Sequence, residues 1–189
     1  MRKDKSLVLY PKNYVVVDIE TTGFSALNDE IIELSALKVE EDELVEDFST
    51  LVNPMRYVSP FILNLTGIEL NDLYNAPKIQ NCLQEFMDFV GDSIIVGHNI
   101  NFDLNFIHTK LQKHYSRSLQ NDYIDTLKLA RKFLPQMKSH KLGLLAEHFS
   151  LDTGGMHRGL KDCSVTNECY QRFVEMAGQK HVQNPLIIH

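Results

Sequence analysis

The pattern of apolar and polar positions divides the chain into a strand-rich beginning and a helix-rich remainder. Tyr14 to Asp18 is continuous, apolar and β-branched, which predicts a strand buried on both faces. Ile31 to Val39 and Leu44 to Val52 predict two further strands, and acidic Glu40 to Glu43 between them suits an exposed hairpin turn. Asn53-Pro54 ends the pair. Ser59-Pro60 predicts an N-cap followed by proline at the first helical position, with a short helix to about Leu65 broken by Thr66-Gly67. Ile79, Leu83, Phe86 and Val90 recur at helical spacing. Ser93 to Gly97 predicts a short buried strand, Asn101 to Tyr115 a helix and Tyr123 to Asp125 a brief strand. Helices are expected at about Thr126 to Phe133, Leu142 to Phe149 and Asp162 to Met176. Asp152 to Gly155 reads as a mobile loop, and Gly178 to His189 has no clear periodicity. Strands first, then helix–strand alternation, predict an α/β fold with a mixed sheet and helices packed on it.

Composition narrows the class. A chain of 189 residues, 43% of them hydrophobic, can bury one full core. It has no apolar run of about 18 residues, so no membrane span is expected. The apolar part of the basic N-terminus, Leu7 to Tyr10, is too short for a secretion signal. Cys82, Cys163 and Cys169 are odd in number and form no C-x-x-C, which favours reduced thiols in a cytoplasmic protein. The net charge of -6 argues against a protein that coats DNA in bulk. Its distribution is uneven. Acids crowd Asp18 to Asp47, where Lys38 is the only base, and Lys110, Lys113, Arg117, Lys128, Arg131, Lys132, Lys138 and Lys141 form a basic stretch. Two readings of that stretch stand: solvated helix faces, or a track for phosphates beside an acidic site.

The chemistry starts at DIETTG, where the first strand ends in Asp18 and Glu20. Strand residues i and i+2 project to one face, so both carboxylates point the same way. Open α/β sheets bind ligands at this end of their strands. Two carboxylates about 4 Å apart repel by roughly 4 kcal/mol at an effective dielectric near 20. No base but Lys12 lies within ten residues, so the pair calls for a hard cation with oxygen ligands, Mg²⁺ or Mn²⁺. Asp103 falls at the start of a predicted helix within GHNINFDLNFI. His157 and Asp162 stand in H-x-x-x-x-D spacing within MHRGLKDCSVT, the histidine on a glycine-bearing loop. Each piece alone has a plainer reading, as a solvated acidic pair, a helix-start aspartate or a surface histidine.

Taken together, DIETTG, HNINFD and HRGLKD resemble the three motifs of the DEDD superfamily of 3′–5′ exonucleases. The histidine and its spacing place the resemblance in the DEDDh branch, which includes the epsilon proofreading subunits of bacterial DNA polymerase III and the exonuclease domains of Gram-positive replicative polymerases. IIEL at Ile31 to Leu34, LTGI at Leu65 to Ile68 and DTLKLAR at Asp125 to Arg131 add to it. The likeness covers about Asn13 to Met176, which divides the chain into an extension (1–12), an exonuclease domain (13–176) and a tail (177–189). Gly159 stands where many members carry alanine and Lys161 where an acid is common. These two departures touch loop rigidity and local charge but leave the acids and the histidine of the motifs in place.

The resemblance implies an RNase H-like fold, a mixed five-stranded sheet with one antiparallel strand, flanked by helices. It implies two divalent cations, Mg²⁺ or Mn²⁺, held by Asp18, Glu20, Asp103 and Asp162, with His157 as general base. The ordinary imidazole pKa of about 6.5 suits that task at neutral pH. It further implies that amides around Thr21 and Thr22 meet a terminal 3′-hydroxyl, and that Thr66, His98, Asn99 and Phe102 line the last nucleotides. Core packing is an equal reading of Phe102. Glu33 and Asp125 read as supporting acids. The implied substrate is single-stranded DNA or a frayed 3′ end, cut in proofreading or repair. RNA 3′ ends are the alternative, and a silent module that binds strand ends or tethers a polymerase is a reading of another class. A DNA polymerase or sliding clamp is the implied partner, and QNPLII at Gln183 to Ile188 distantly resembles clamp-binding peptides.

Overall fold

The computed structural model describes residues 10–183. Strands β1 (Tyr14–Thr21), β2 (Ile31–Glu40), β3 (Glu43–Leu51), β4 (Ile95–Gly97) and β5 (Tyr123–Asp125) form one sheet in the order β3-β2-β1-β4-β5. Strand β2 is antiparallel to both neighbours, while β1, β4 and β5 run parallel. This is the mixed five-stranded sheet with one antiparallel strand expected above. The chain builds outward from β1 through β2 and β3, then crosses to β4 and β5 on the other side. That reversal opens a crevice at the carboxyl ends of β1 and β4.

Helices cover both faces. Val15, Val17 and Ile19 of β1 pack with α3 (Ile79–Val90) and α4 (Asn101–Tyr115). Tyr14 and Val16 face the opposite way, into a core shared with α5 (Thr126–Phe133), α6 (Leu142–His148) and α7 (Gly159–Gln183). A smaller cluster of Ile32, Val58, Ile68 and Leu73 seats α1 (Pro60–Thr66) and α2 (Leu70–Asn75).

Local chemistry explains most boundaries. Glu41 and Asp42 turn the β2–β3 hairpin with φ of 51° and 69°, the left-handed values that tight hairpins require. The Ser59 hydroxyl accepts from the Ile62 amide, Pro60 opens α1, and Gly67 closes it at φ 66°. Asp125 caps α5 through the Leu127 amide. Helix α2 carries no sequence signal, because six residues with Leu73 as the one buried side chain show no period. Helix α7 starts at Gly159 rather than Asp162 and runs on past Met176 to Gln183, so 178–183 is helix, not an aperiodic tail. A helix already nucleated extends cheaply through good formers such as Ala, Gln and Lys. The clamp-like stretch lies, beyond Gln183, outside the described residues. The three cysteines are buried free thiols. Among the described residues no helix is long and apolar enough to cross a membrane.

The basic stretch divides. Lys110 is only 1% exposed and lies 2.8 Å from Glu30 Oε2 while donating to the Asp29 carbonyl at 2.6 Å. Lys113 shares Glu30, and Arg117 donates to Gln84. These residues of the α4 region face the β1–β2 loop and α3, so they fasten structure rather than track phosphates.

Candidate active site

Side-chain parity along β1 builds the centre. Asp18 and Glu20 share the face of Tyr14 and Val16, the face that α7 covers. Helix α7 therefore brings Asp162 to them, and carboxylate oxygens of Asp18, Glu20 and Asp162 lie within 4.8 Å of one another. Asp103 comes from α4, on the other face. It reaches β1 beyond the last β1–β4 pairing at Val16, where its Oδ1 accepts from the Ile19 amide at 3.1 Å. Three of the four expected carboxylates thus form one cluster, and the fourth stands against the strand beside them.

The electrostatics are severe. Burial, then Asp103, Asp162, Glu20 and Glu33, hold the Asp18 carboxyl well above the usual carboxylate range. Glu20 is pushed up to about 8, by burial first and then by Asp162, Glu33 and Asp103, with Arg158 opposing. Burial also raises Asp103 and Asp162, against hydrogen bonds that favour their charged forms. Asp162 Oδ2 accepts from the His157 amide at 3.0 Å, while its buried Oδ1 has no hydrogen-bond partner. An unpaired buried carboxylate oxygen beside two other carboxylates is costly alone and fits a hard divalent cation.

This arrangement fixes the sign of a pH effect. Between about pH 4, where unfolded carboxylates titrate, and about 8, to which Glu20 is pushed, the acids of this cluster hold more protons in the folded protein than in the unfolded chain, and outnumber His98 and His114, whose burial acts the other way. Stability is therefore full below that window and falls as pH rises through it. In chelator, the melting temperature is expected to drop from pH 5 to pH 8, and Mg²⁺ or Mn²⁺ is expected to flatten the slope. A melting temperature that climbs across this range in chelator would contradict the site as described.

His157 sits at φ 66° on the loop before α7 and lines a cavity of about 500 Å³ with Asp18, His98 and Asp162. Glu33, buried on β2, accepts from the Gly159 amide at 3.2 Å and from Arg158 at 3.4 Å, which ties this loop to the sheet. A Cβ on residue 159 would fall 2.3 Å from Ser35 Oγ, so alanine cannot stand there beside this serine. Lys161 reaches back 2.8 Å to Asp152 and pins the loop's other end.

Of the expected substrate-side residues, His98 lines this cavity and Asn99 the one beside it. The Thr22 amide, however, donates to the Glu30 carbonyl at 2.8 Å, because β1–β2 pairing continues past the bulge at Thr21. It is not available for a terminal hydroxyl. The Thr21 hydroxyl donates to the Gly23 carbonyl at 2.6 Å. Thr66 is buried, with its hydroxyl committed to Ile62 and Ile68 of its own segment. His98 Nδ1 lies 2.9 Å from Thr126 Oγ1, and the Asn99 amide donates to Asp125 at 3.0 Å. Phe102 packs on Phe106 and, edge-on, against Phe24, which is 90% exposed. Phe24 and Arg158 belong to this neighbourhood and have no sequence signal beyond adjacency to TTG and to His157.

The topology and the carboxylate cluster define an RNase H-like nuclease fold. Structural neighbours agree: exonuclease X in complex with 5′-overhanging duplex DNA superposes with a TM-score of 0.70 at 24% identity, covering 87% of this chain and 93% of that one. A full-length 3′-exonuclease gives 0.74 at 21% identity, covering 89% and 84%. Residues 15–170 match the Exonuclease (RNase T) family, and the chain belongs to it. It is 41% identical over 162 residues to DNA polymerase III subunit epsilon of Aquifex aeolicus, covering 86% of this chain and 80% of that protein. It is 40% identical over 162 residues to the PolC-type DNA polymerase III of Caldanaerobacter subterraneus, of which it spans 12%. The chain is thus an exonuclease, a phosphodiester hydrolase of a divalent-metal-dependent family.

Proposed function

We propose that this exonuclease releases nucleoside monophosphates from DNA 3′ ends, in proofreading or repair, using two Mg²⁺ or Mn²⁺ ions. The convergence of Asp18, Glu20 and Asp162, with His157 on the same cavity as Asp18 and Asp162, carries this reading. The names of the relatives, polymerase III epsilon and PolC, favour DNA and a polymerase partner. The working unit is 13–176, and a cytoplasmic location suits a replication protein.

Asp18, Glu20 and Asp162, with Asp103 beside them, would hold the ions. Bound there, divalent cations supply Lewis acidity, making a water more acidic and stabilising charge on the departing 3′ oxygen. His157 takes the proton from the attacking water as general base. Its backbone is fixed by Asp162 while its ring is exposed at the cavity, so the imidazole can reposition when substrate arrives. Phe24 and Phe102 offer aromatic surface to the last bases, where stacking is worth about 1–3 kcal/mol per base. Thr66, His98 and Asn99 shape the pocket walls.

The test compares matched end-labelled DNA and RNA oligonucleotides, single- and double-stranded, with Mg²⁺, Mn²⁺ or chelator. A ladder of single-nucleotide steps from the 3′ end of DNA, lost on chelation, is expected. Internal cuts, or faster trimming of RNA, would overturn the assignment.

A further inference from the structure

The cations of this acidic chain are mostly spoken for. Lys12, Lys38, Arg56, Lys110, Lys113, Arg158, Lys161 and Arg172 each lie against a carboxylate. Arg117 donates to Gln84, and Lys128 and Lys132 lie over aromatic rings. Among the residues whose side chains are described, 10–178, the lysines and arginines left without such a partner are Lys78, Arg131, Lys138 and Lys141. Arg131, Lys138 and Lys141 line a single cavity of about 720 Å³, between the end of α5 and the start of α6. His140 also lines it, and no carboxylate does.

This basic cavity adjoins the acidic one. Both are lined by His98, Lys141 and Leu142. The dividing wall is fixed in place. His98 is held at Thr126, Asn99 at Asp125, and His140 Nε2 lies 2.9 Å from the Leu134 carbonyl. A pocket with preset walls and several unneutralised cations, inside a protein of net charge -6, is built for an anion.

We propose that Arg131, Lys138 and Lys141 form a phosphate subsite for the retained strand, on the 5′ side of the bond that is cut. The assignment rests on the exonuclease reading above. An enzyme that removes single nucleotides has one nucleotide beyond the scissile phosphate and the whole remaining strand on the other side. Phe24 and Phe102, the aromatic surface offered to the last bases, line neither of these two cavities, whereas the basic cavity meets the acidic one at His98. The strand therefore leaves the carboxylates over His98 and sets its next phosphates among the three cations. These contacts hold the strand without touching the reacting bond, so they serve binding and repeated cutting of long substrates.

Arg131→Ala, Lys138→Ala and their double variant test this, with Lys78→Ala as the remote unpaired cation for control. A fluorescent single-stranded 12-mer in chelator gives binding by anisotropy at several salt concentrations, a readout that needs no turnover. The double variant is expected to weaken binding about tenfold and to make the log–log salt slope shallower by about 1.4, at about 0.7 per phosphate contact on single strands. Lys78→Ala is expected to match wild type. In turnover, the ratio of the 12-mer KM to that of an aryl ester of thymidine 5′-monophosphate, which has a single phosphate, is expected to rise by the same factor. Equal salt slopes for wild type and double variant, or an equal loss in Lys78→Ala, would overturn the subsite. Weaker inhibition by thymidine 5′-monophosphate with unchanged 12-mer binding would place the released nucleotide there instead, which also overturns it. Strand binding that depends on these cations, in a wild-type enzyme that cuts neither substrate, would uphold the subsite and sink the proposed function.

Discussion

Asp18→Asn is expected to lower turnover by at least about 10³-fold, with no rescue by excess Mg²⁺ or Mn²⁺, while raising the melting temperature of the metal-free protein. Both effects come from one position. Asp18 opposes every other acid in the centre, because Asp103, Asp162, Glu20 and Glu33 all work against its ionisation. Asparagine keeps its shape and is neutral at every pH, so folding without a cation no longer has to bury a carboxylate that must either take up a proton or repel its neighbours. The same change removes a ligand from the cluster of three, and loss of one preorganised electrostatic group costs about 10²–10³ in rate where it has been measured singly. A residue in the middle of the set should sit at or beyond the upper end. The opposed signs make the experiment informative. A variant that is both inactive and less stable would mean that Asp18 is structural, and a variant that keeps normal turnover would remove it from the site. Glu20→Gln is expected to follow with smaller changes, since Arg158 already offsets part of its burden.

How much of this was legible beforehand depends on the kind of information each feature needs. The β1 strand, the β2–β3 hairpin, α1 and α4 follow from local pattern and cap chemistry, and α4 begins and ends where its residues predict. The pairing of Asp18 with Glu20 is equally local, a matter of strand parity. The arrival of Asp162 on that face, and of Asp103 on the far side, is not. It depends on which helix covers which face of β1, a non-local fact that motif resemblance supplied and residue chemistry alone did not. The same limit split the basic stretch. Lys110 and Lys141 look alike in sequence, yet one is buried against Glu30 and the other lines an open cavity. Burial of a lysine is decided by the partner across the fold, here an acid 80 positions away in the chain. The Thr22 amide illustrates the same limit: the β1–β2 ladder runs past its bulge and claims that donor, which the local sequence does not show.

Removing the His157 side chain is expected to cost about 10²–10⁴ in turnover, the range for loss of a positioned general base, with metal binding retained. The geometry allows that separation. The link between the loop and the carboxylates runs through the His157 backbone amide, which Asp162 accepts, so the imidazole can go while the anchor stays. Residue 157 sits at φ 66°, where asparagine is tolerated better than alanine, so His157→Asn is the cleaner variant and His157→Ala its check. The cation affinity of either, measured calorimetrically, should stay within a fewfold of wild type. The pH profile decides the role. If the imidazole takes the proton, the variants lose the rise in turnover that accompanies its deprotonation, and hydroxide or added imidazole restores part of the rate. A residue that merely braces the loop would lower turnover equally at every pH and respond to neither. Near-normal turnover at pH 7 with the cations bound would remove His157 from proton transfer.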